Sequence, residues 1–170
     1  YTELTTGLRR GEICGLMWQD FDEKAGTLKI LRSVNVPKAG ELEIGETKTS
    51  QGRLTIRLPP STVQRLRERK KHAVSQWIFP EPLAPEKPVR PSAAYYWMKR
   101  ILREAGLPEI RFHDLRHTFA THALTSGVDA KTLSGILGHT NASFTLDTYT
   151  HVTGEMQKQA ANIVGDFMTK

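Results

Sequence analysis

Residues 113–126 read HDLRHTFATHALTS, and this stretch decides the fold class because it combines a helical pattern with reactive side chains. Gly127 follows directly and predicts the end of the helix. His113 and Arg116 are three residues apart, so on a helix their side chains leave the same face. An imidazole beside a guanidinium suits the oxygens of an anion and is poorly suited to a cation. The stretch therefore predicts a helix that presents an anion-binding pair.

A zinc site is the main alternative for this helix, since His113 and His117 are four residues apart. However, position 114 is Asp rather than the Glu of an HExxH zinc motif, and Arg116 would repel the metal. We therefore expect no metal here. His117 and His122 fall on or near the apolar side, where we expect core histidines.

Capping residues and amphipathic spacing predict further helices along the chain. The last of them carries an apolar stripe of Met156, Ala160, Ile163, Val164 and Phe167, which must be covered by other residues of the protein or by a partner. The predicted helices span residues 10–18, 61–74 from a Ser61 cap, 92–106 from a Ser92 cap, 129–137 from an Asp129 cap, a segment from Asn141 or Ser143 that includes Tyr149, and 155–168.

The hydrophobic period changes to two in TLKILRSV (27–34), ELEIGET (41–47) and RLTIRL (53–58). Turn-forming residues separate these segments, which predicts a three-stranded antiparallel meander. Residues 80–91 hold five of the nine prolines and are predicted to be an extended connecting loop. The fold class is therefore α+β and mainly α-helical, with a small three-stranded antiparallel sheet.

The composition restricts the class of protein. A chain of 170 residues is long enough to bury one hydrophobic core. No apolar run approaches the roughly 18 residues that a membrane-spanning helix needs. The single cysteine, Cys14, excludes an internal disulfide and fits a reducing compartment, so we expect a cytoplasmic protein. The formal net charge of +6 favours a polyanionic partner.

The most basic segment is the helix predicted over residues 61–74. Arg65, Arg69 and Lys70 are its candidates for contacts with DNA phosphates. The alternative is a solvated surface helix whose charges simply face water, and the sequence leaves both interpretations open.

Five segments together resemble the catalytic domain of tyrosine recombinases, the phage integrase family. The first and third are most similar to integrases of conjugative transposons and related phages. The resemblance covers Thr6 to His151, and all five motifs in this order are specific where each alone is weak. They are TGLRRGEICGLMWQDFD (6–22), ETKTSQGRLTIRLP (46–59), HDLRHTFATH (113–122), LGHT (137–140) and DTYTH (147–151).

The resemblance implies a site-specific recombinase with six catalytic residues. Tyr149 would attack a DNA phosphodiester, giving a 3′-phosphotyrosine and a 5′ hydroxyl, with no metal, cofactor or ATP. Lys48 is the expected general acid, with Lys38 and Arg53 as alternatives. The six residues are Arg9, Lys48, His113, Arg116, His139 and Tyr149.

The resemblance also implies the context of the domain. Residues 6–170 would form a single catalytic domain of a longer protein, without its N-terminal core-binding and arm-binding domains. The expected partner is double-stranded DNA, on which four copies assemble, with helix 155–168 docking in cis or in trans and with accessory DNA-bending proteins. A bacterial, phage or mobile-element origin is expected.

Two rival functions remain open at this stage. Residues 119–149 also fit a helix-turn-helix module that binds DNA without catalysis. A type IB topoisomerase would use the same chemistry and rejoin the same strand. Among the neighbouring residues, Glu12 is expected to support its helix, and Trp18, Trp77 and Trp97 are expected in the core.

Overall fold

The structure is a computed structural model that describes residues 1–37, 40–47 and 54–138, together with Lys158. Apart from Lys158, which is helical, the helices predicted beyond Gly138 lie outside the described residues. The elements within them are α1 (Thr2–Thr6), α2 (Arg10–Cys14), a 3₁₀ turn (Trp18–Asp20), β1 (Phe21–Asp22), β2 (Thr27–Ile30), β3 (Arg32–Asn35), β4 (Glu43–Glu46), β5 (Leu54–Arg57), α3 (Pro60–Lys71), β6 (Pro80–Glu81), β7 (Ala84–Pro88), α4 (Pro91–Glu104), α5 (Phe112–Thr125) and α6 (Ala130–Leu137).

A three-stranded antiparallel sheet is present, but the predicted meander is wrong. The predicted strand 27–34 is interrupted at Leu31, and its two halves pair with different partners. The first half, β2, lies between β1 and β5, with Leu28 opposite Ile56. The second half, β3, pairs with β4 in a separate two-stranded sheet. Thr47 lies at the crossover, where its N–H donates to the Leu31 carbonyl at 3.3 Å. The strands β4 and β5 therefore each pair with one half of the segment 27–34.

The largest hydrophobic core lies between the three-stranded sheet and α3. Alternating side chains of β2 and β5 point towards Val63 and Leu66 of the helix. Burial of this apolar face stabilises α3, whose remaining side chains are mostly charged and exposed. The core residues are Leu8, Ile13, Leu16, Phe21, Leu28, Ile30, Ile56, Leu58, Val63, Leu66 and Ile78.

A second hydrophobic core lies between α5 and α6, and Gly7 packs closely against it. Ala120 and Leu124 of α5 pack against Leu133 and Leu137 of α6. Gly7 ends α1 with a φ of 66°, a conformation that favours glycine. A Cβ at this position would lie 2.4 Å from the Phe119 ring and 2.8 Å from Leu137. The chain leading to α2 therefore approaches α5 and α6 as closely as a glycine allows.

Several predicted boundaries shift. The helix predicted over 10–18 ends at Cys14, and α3 begins at Pro60 and ends at Lys71. Because proline fits the first turn of a helix, Pro60 and Pro91 start α3 and α4 in place of the predicted serine caps. The Asp129 cap is confirmed, since its carboxylate accepts the Thr132 N–H.

The proline-rich segment is more regular than predicted. Instead of a loop, Pro80–Glu81 and Ala84–Pro88 form a two-stranded ribbon with an irregular register. Proline is tolerated there because a two-stranded ribbon has only edge strands. Trp77 is buried as expected and Trp18 packs on the main core, but Trp97 is 39% exposed, so the prediction for Trp97 is wrong. None of the helices in the described part of the chain is long and apolar enough to cross a bilayer.

Candidate active site

Arg9 is the N-cap residue of α2, and hydrogen bonds to Glu12 hold it in place. One Glu12 carboxylate oxygen accepts the backbone N–H of Arg9 at 2.8 Å, and the other accepts the Arg9 Nη1 at 2.8 Å. The carboxylate side chain is only 9% exposed, whereas 43% of the Arg9 side chain faces solvent. Glu12 thus caps the helix and orients the guanidinium, which confirms its expected supporting role.

Arg116 connects three of the sequence motifs. Its side chain is among the most deeply buried in the described residues, at 1% exposure. Nη1 donates to the Gly7 carbonyl at 2.6 Å, and Nη2 donates to the Leu137 carbonyl at 2.8 Å. Gly7 precedes Arg9 by two residues, and Leu137 precedes His139 by two residues. The Arg116 guanidinium therefore holds the backbone two residues before Arg9 and the backbone two residues before His139.

His113 is exposed on the first turn of α5, three residues before Arg116. Its ring meets the His117 ring edge to face, with the centroids 4.6 Å apart. Partial burial and the nearby His117 and Arg116 lower the pKa of His113 below its ordinary value of about 6.5. The imidazole is therefore mainly neutral at neutral pH and is able to accept a proton.

The other histidines of this helix differ from their predictions. His122 is exposed on α5, so its assignment as a core histidine is wrong. His117 is half-buried, and its ring contacts the His113 ring. Helical spacing alone gave the wrong face because the apolar side of α5 is narrow, with Ala120 and Leu124 as its buried hydrophobic residues.

The first turn of α5 repeats the arrangement at α2. Arg111 is the N-cap residue, and Asp114 accepts both its backbone N–H and its side-chain Nη2 at 2.8 Å. The hydrogen bonds from Arg111 hold the pKa of the Asp114 carboxyl below its usual range. This pair was not predicted from the sequence, although an acidic residue three positions after a helix start is a known capping pattern. Arg111 therefore adds a cation beside His113.

The other predicted catalytic residues lie outside the described residues. Lys48, with its alternatives Lys38 and Arg53, belongs to the connections around β4, and His139 and Tyr149 follow α6. Of the six predicted catalytic residues, the structure describes the two arginines and the first histidine.

The three DNA-binding candidates on α3 already contact other parts of the protein. Arg69 donates its Nε to the Ile78 carbonyl at 2.7 Å, and burial lowers its pKa. The Arg65 guanidinium lies 4.3 Å from the centre of the Tyr1 ring, and Lys70 lies 3.8 Å from a carboxylate oxygen of Glu23. Arg69 thus has a structural partner, while Arg65 and Lys70 are near the surface.

Comparisons with known proteins agree with the family resemblance that the motifs show. The XerC-like tyrosine recombinase of Caldanaerobacter subterraneus is 29% identical over 184 residues, covering 95% of this chain and 46% of its own length. Tyrosine recombinase XerC of Staphylococcus haemolyticus is 32% identical over 155 residues, covering 91% and 48%. The chain therefore spans about half the length of these relatives.

Solved structures share the fold. The Tn1549 transposon integrase in complex with transposon right-end DNA superposes with a TM-score of 0.80 at 23% identity, covering 96% of this chain and 57% of that one. The XerA recombinase gives a TM-score of 0.68 at 24% identity, covering 94% and 52%. The sequence profile described as the phage integrase family matches residues 3–156. This match extends over most of the chain, which therefore belongs to the phage integrase family.

Proposed function

We propose that residues 6–170 form the catalytic domain of a site-specific DNA recombinase that cleaves and rejoins DNA through Tyr149. The observation that carries the proposal is the double hydrogen bond of Arg116 to the Gly7 and Leu137 carbonyls. These two bonds hold together the segment that leads to Arg9, the helix that carries His113, and the segment that leads to His139. We infer from this arrangement that cations from distant parts of the sequence bind the same phosphate.

The described side chains suit the transition state of phosphodiester cleavage. Negative charge builds on the nonbridging oxygens of the phosphate when a nucleophile attacks. Arg9 has an exposed guanidinium whose direction Glu12 fixes, so it is a preorganised donor to these oxygens. The neutral His113 is suited to accept the proton of the Tyr149 phenol, whose ordinary pKa is about 10.

The proposed reaction conserves the phosphodiester energy. The Tyr149 oxygen forms a bond to phosphorus as the bond from phosphorus to the 5′ oxygen breaks, and Lys48 gives its proton to that oxygen. The 3′-phosphotyrosine remains activated, so the 5′ hydroxyl of another strand is able to replace the tyrosine without ATP. The side chains supply the charge stabilisation, and the proposal includes no metal or cofactor.

The context of this activity belongs to the same proposal. The partner is double-stranded DNA in the bacterial cytoplasm, bound by four copies of a longer protein with accessory DNA-bending proteins, and helix 155–168 docks in cis or in trans. Arg65, Arg69 and Lys70 form a secondary phosphate-contacting surface, in which Arg69 acts mainly by holding the chain at Ile78. Membership of the phage integrase family favours recombination over a topoisomerase or a non-catalytic helix-turn-helix module.

A nicked suicide substrate that traps the covalent intermediate tests the proposal. Its DNA should carry the recombination site of the mobile element that encodes the protein, or a library of candidate sites. We expect a protein–DNA adduct that resists SDS and is lost in Tyr149→Phe, while that variant still binds the DNA. Binding without an adduct in the unaltered protein would contradict the recombinase assignment and favour a binding module.

A further inference from the structure

Asp20 and Arg32 form a buried ion pair that the proposed chemistry does not use. Nη1 of Arg32 donates to one Asp20 carboxylate oxygen at 2.6 Å, and Nη2 donates to the other at 3.2 Å. Only 3% of the Asp20 side chain and 17% of the Arg32 side chain are exposed. The loss of hydration offsets much of the attraction between two buried charges, so the net stabilisation by such a pair is small. The planar guanidinium nevertheless fixes the direction in which the two segments meet.

The ion pair joins the turn after α2 to the strand β3. Asp20 is the last residue of the 3₁₀ turn, and its Oδ2 also accepts the backbone N–H of Met17 at 3.2 Å. Arg32 is the first residue of β3, directly after the break at Leu31 where the two sheets separate. The carboxylate is therefore held by its own turn, and the guanidinium attaches the start of β3 to that turn.

The connection that carries Lys48 begins and ends beside the same break. Before the connection, the Thr47 N–H donates to the Leu31 carbonyl at 3.3 Å, and the Thr47 hydroxyl donates to the Ile30 carbonyl at 3.4 Å. After the connection, Leu54 lies opposite Ile30 in the pairing of β5 with β2. Because Lys48 follows Thr47 directly in the chain, these contacts limit the point from which the Lys48 side chain extends.

Arg32 is linked to this point through the pairing of β3 with β4. It lies opposite Glu46, which is the last residue of β4 and precedes Thr47. Glu46 is exposed, whereas Arg32 is paired with the buried Asp20. The strand β3 also packs on α2, whose N-cap residue is Arg9. The ion pair therefore holds the start of the β3–β4 ribbon beside the helix that begins after Arg9.

We propose that Asp20 and Arg32 are positioning residues for the general acid Lys48. By holding the start of β3, the pair sets the position of Lys48 relative to the phosphate at Arg9. Proton transfer requires the ammonium group to lie within hydrogen-bond reach of the 5′ oxygen, so a shift of about 1 Å at the base of the ribbon should slow this step. The inference rests on the proposed function, in which Lys48 gives its proton to the 5′ oxygen as the bond to phosphorus breaks.

A substrate with sulfur in place of the 5′ bridging oxygen separates positioning of the acid from loss of folded protein. The leaving thiolate, whose thiol has an ordinary pKa of about 8.5, needs no proton, so cleavage of this substrate does not depend on the acid. A variant that folds poorly loses cleavage of both substrates by the same factor, because only the fraction of active protein changes. The ratio of the sulfur rate to the oxygen rate therefore reports the action of the acid.

The experiment measures single-turnover cleavage of matched oxygen and sulfur suicide substrates. Arg32→Lys keeps the positive charge but loses the bidentate contact with Asp20. We expect the ratio of sulfur to oxygen rates to rise about 100-fold in Lys48→Ala and about 10-fold in Arg32→Lys. Arg67→Lys is the matched control, since Arg67 pairs with Glu23 at the surface, and it should leave the ratio unchanged.

A second variant, Asp20→Asn, keeps the test available if Arg32→Lys does not fold. Its amide oxygen is still able to accept the Met17 N–H, but the charge that pairs with Arg32 is removed. We expect the ratio to rise in this variant as well. An unchanged ratio in a folded Arg32→Lys or Asp20→Asn protein, beside a raised ratio in Lys48→Ala, would overturn the inference.

The same data distinguish this inference from the proposed function. An unchanged ratio in Lys48→Ala would refute Lys48 as the general acid and would overturn the inference with it. An adduct formed by the parent protein would support cleavage through Tyr149 in either case. Failure of the parent to form an adduct on the oxygen and sulfur substrates would instead refute the recombinase function, and the inference that rests on it.

Discussion

Nη1 of Arg116 lies 2.6 Å from the carbonyl oxygen of Gly7, across 109 residues of sequence. The same guanidinium reaches the Leu137 carbonyl at 2.8 Å. A residue expected to contact a phosphate therefore also holds the backbone of the two segments on either side. The proposed anion site and the folded structure would therefore depend on the same side chain, so substitution of Arg116 should affect both stability and cleavage.

Arg116→Lys should lose both stability and cleavage. One ammonium group cannot reproduce the planar pair of donors, so at least one buried carbonyl loses its partner, at a cost of about 2–4 kcal/mol. Arg9→Lys is the comparison, because Arg9 is half-exposed and its loss should cost less than about 1 kcal/mol. Both variants should reduce adduct formation by about 100-fold. Chemical denaturation measures the difference, and equal stability of the two variants would contradict the role of Arg116 in the fold.

Gly7→Ala should destabilise the protein more than an ordinary glycine substitution. The added Cβ meets the Phe119 ring at 2.4 Å, so helices α1 and α5 must move apart. Gly106 is a matched control, since its φ of 64° is nearly the same but nothing lies within 4 Å of its Cβ position. We expect Gly106→Ala to cost about 1 kcal/mol and Gly7→Ala about 3 kcal/mol more. Similar unfolding free energies would show that the close approach is unimportant.

Glu12→Ala should separate capping from catalysis. The variant loses a helix cap, worth about 1 kcal/mol, and also the contact that directs the Arg9 guanidinium. Adduct formation should fall by about 10-fold to 100-fold because a misplaced donor stabilises the transition state poorly. Asp129→Ala removes a cap of similar strength from α6 and serves as the control. If both variants lose adduct formation to the same extent, Glu12 acts only through stability.

Glu3→Gln should make stability less dependent on pH. The pKa of Glu3 is about 8 in the folded protein and about 4.5 in the unfolded chain, so its protonated form favours folding. The stability contribution is full below about pH 4.5 and is lost as the pH rises through about 8. The melting temperature of Glu3→Gln relative to the parent should therefore rise across this range and level above it. A constant difference at every pH would contradict the raised pKa.

Local patterns in the sequence predicted most of the helices in the described residues and placed His113 and Arg116 on one of them, but they did not predict the contacts between distant segments. The Asp129 cap and the helix at 112–125 follow from neighbouring residues, and the structure places both within one or two residues of the prediction. The burial of Arg116 depends on carbonyls that are 109 and 21 residues away, so no local pattern contains it.

The errors in the sheet have a related cause. Alternating hydrophobicity located the segments that form β2 to β5 but missed β1, β6 and β7, and it did not determine which strands pair with each other. A break at Leu31 lets β2 pair with β5 and β3 with β4, which the pattern of residues 27–34 does not reveal. The burial of the Glu3 side chain was also not predicted, because an acidic residue in a short polar helix ordinarily faces water.

The most direct test of the account is to identify, by mass spectrometry, the residue that becomes joined to DNA on a suicide substrate. The account predicts a single phosphotyrosine at Tyr149, linked to the 3′ end of the cleaved strand, and its loss when either Arg9 or Arg116 is replaced. A covalent link to any residue other than Tyr149 would contradict the account. Cleavage that persists after replacement of either Arg9 or Arg116 would also contradict it.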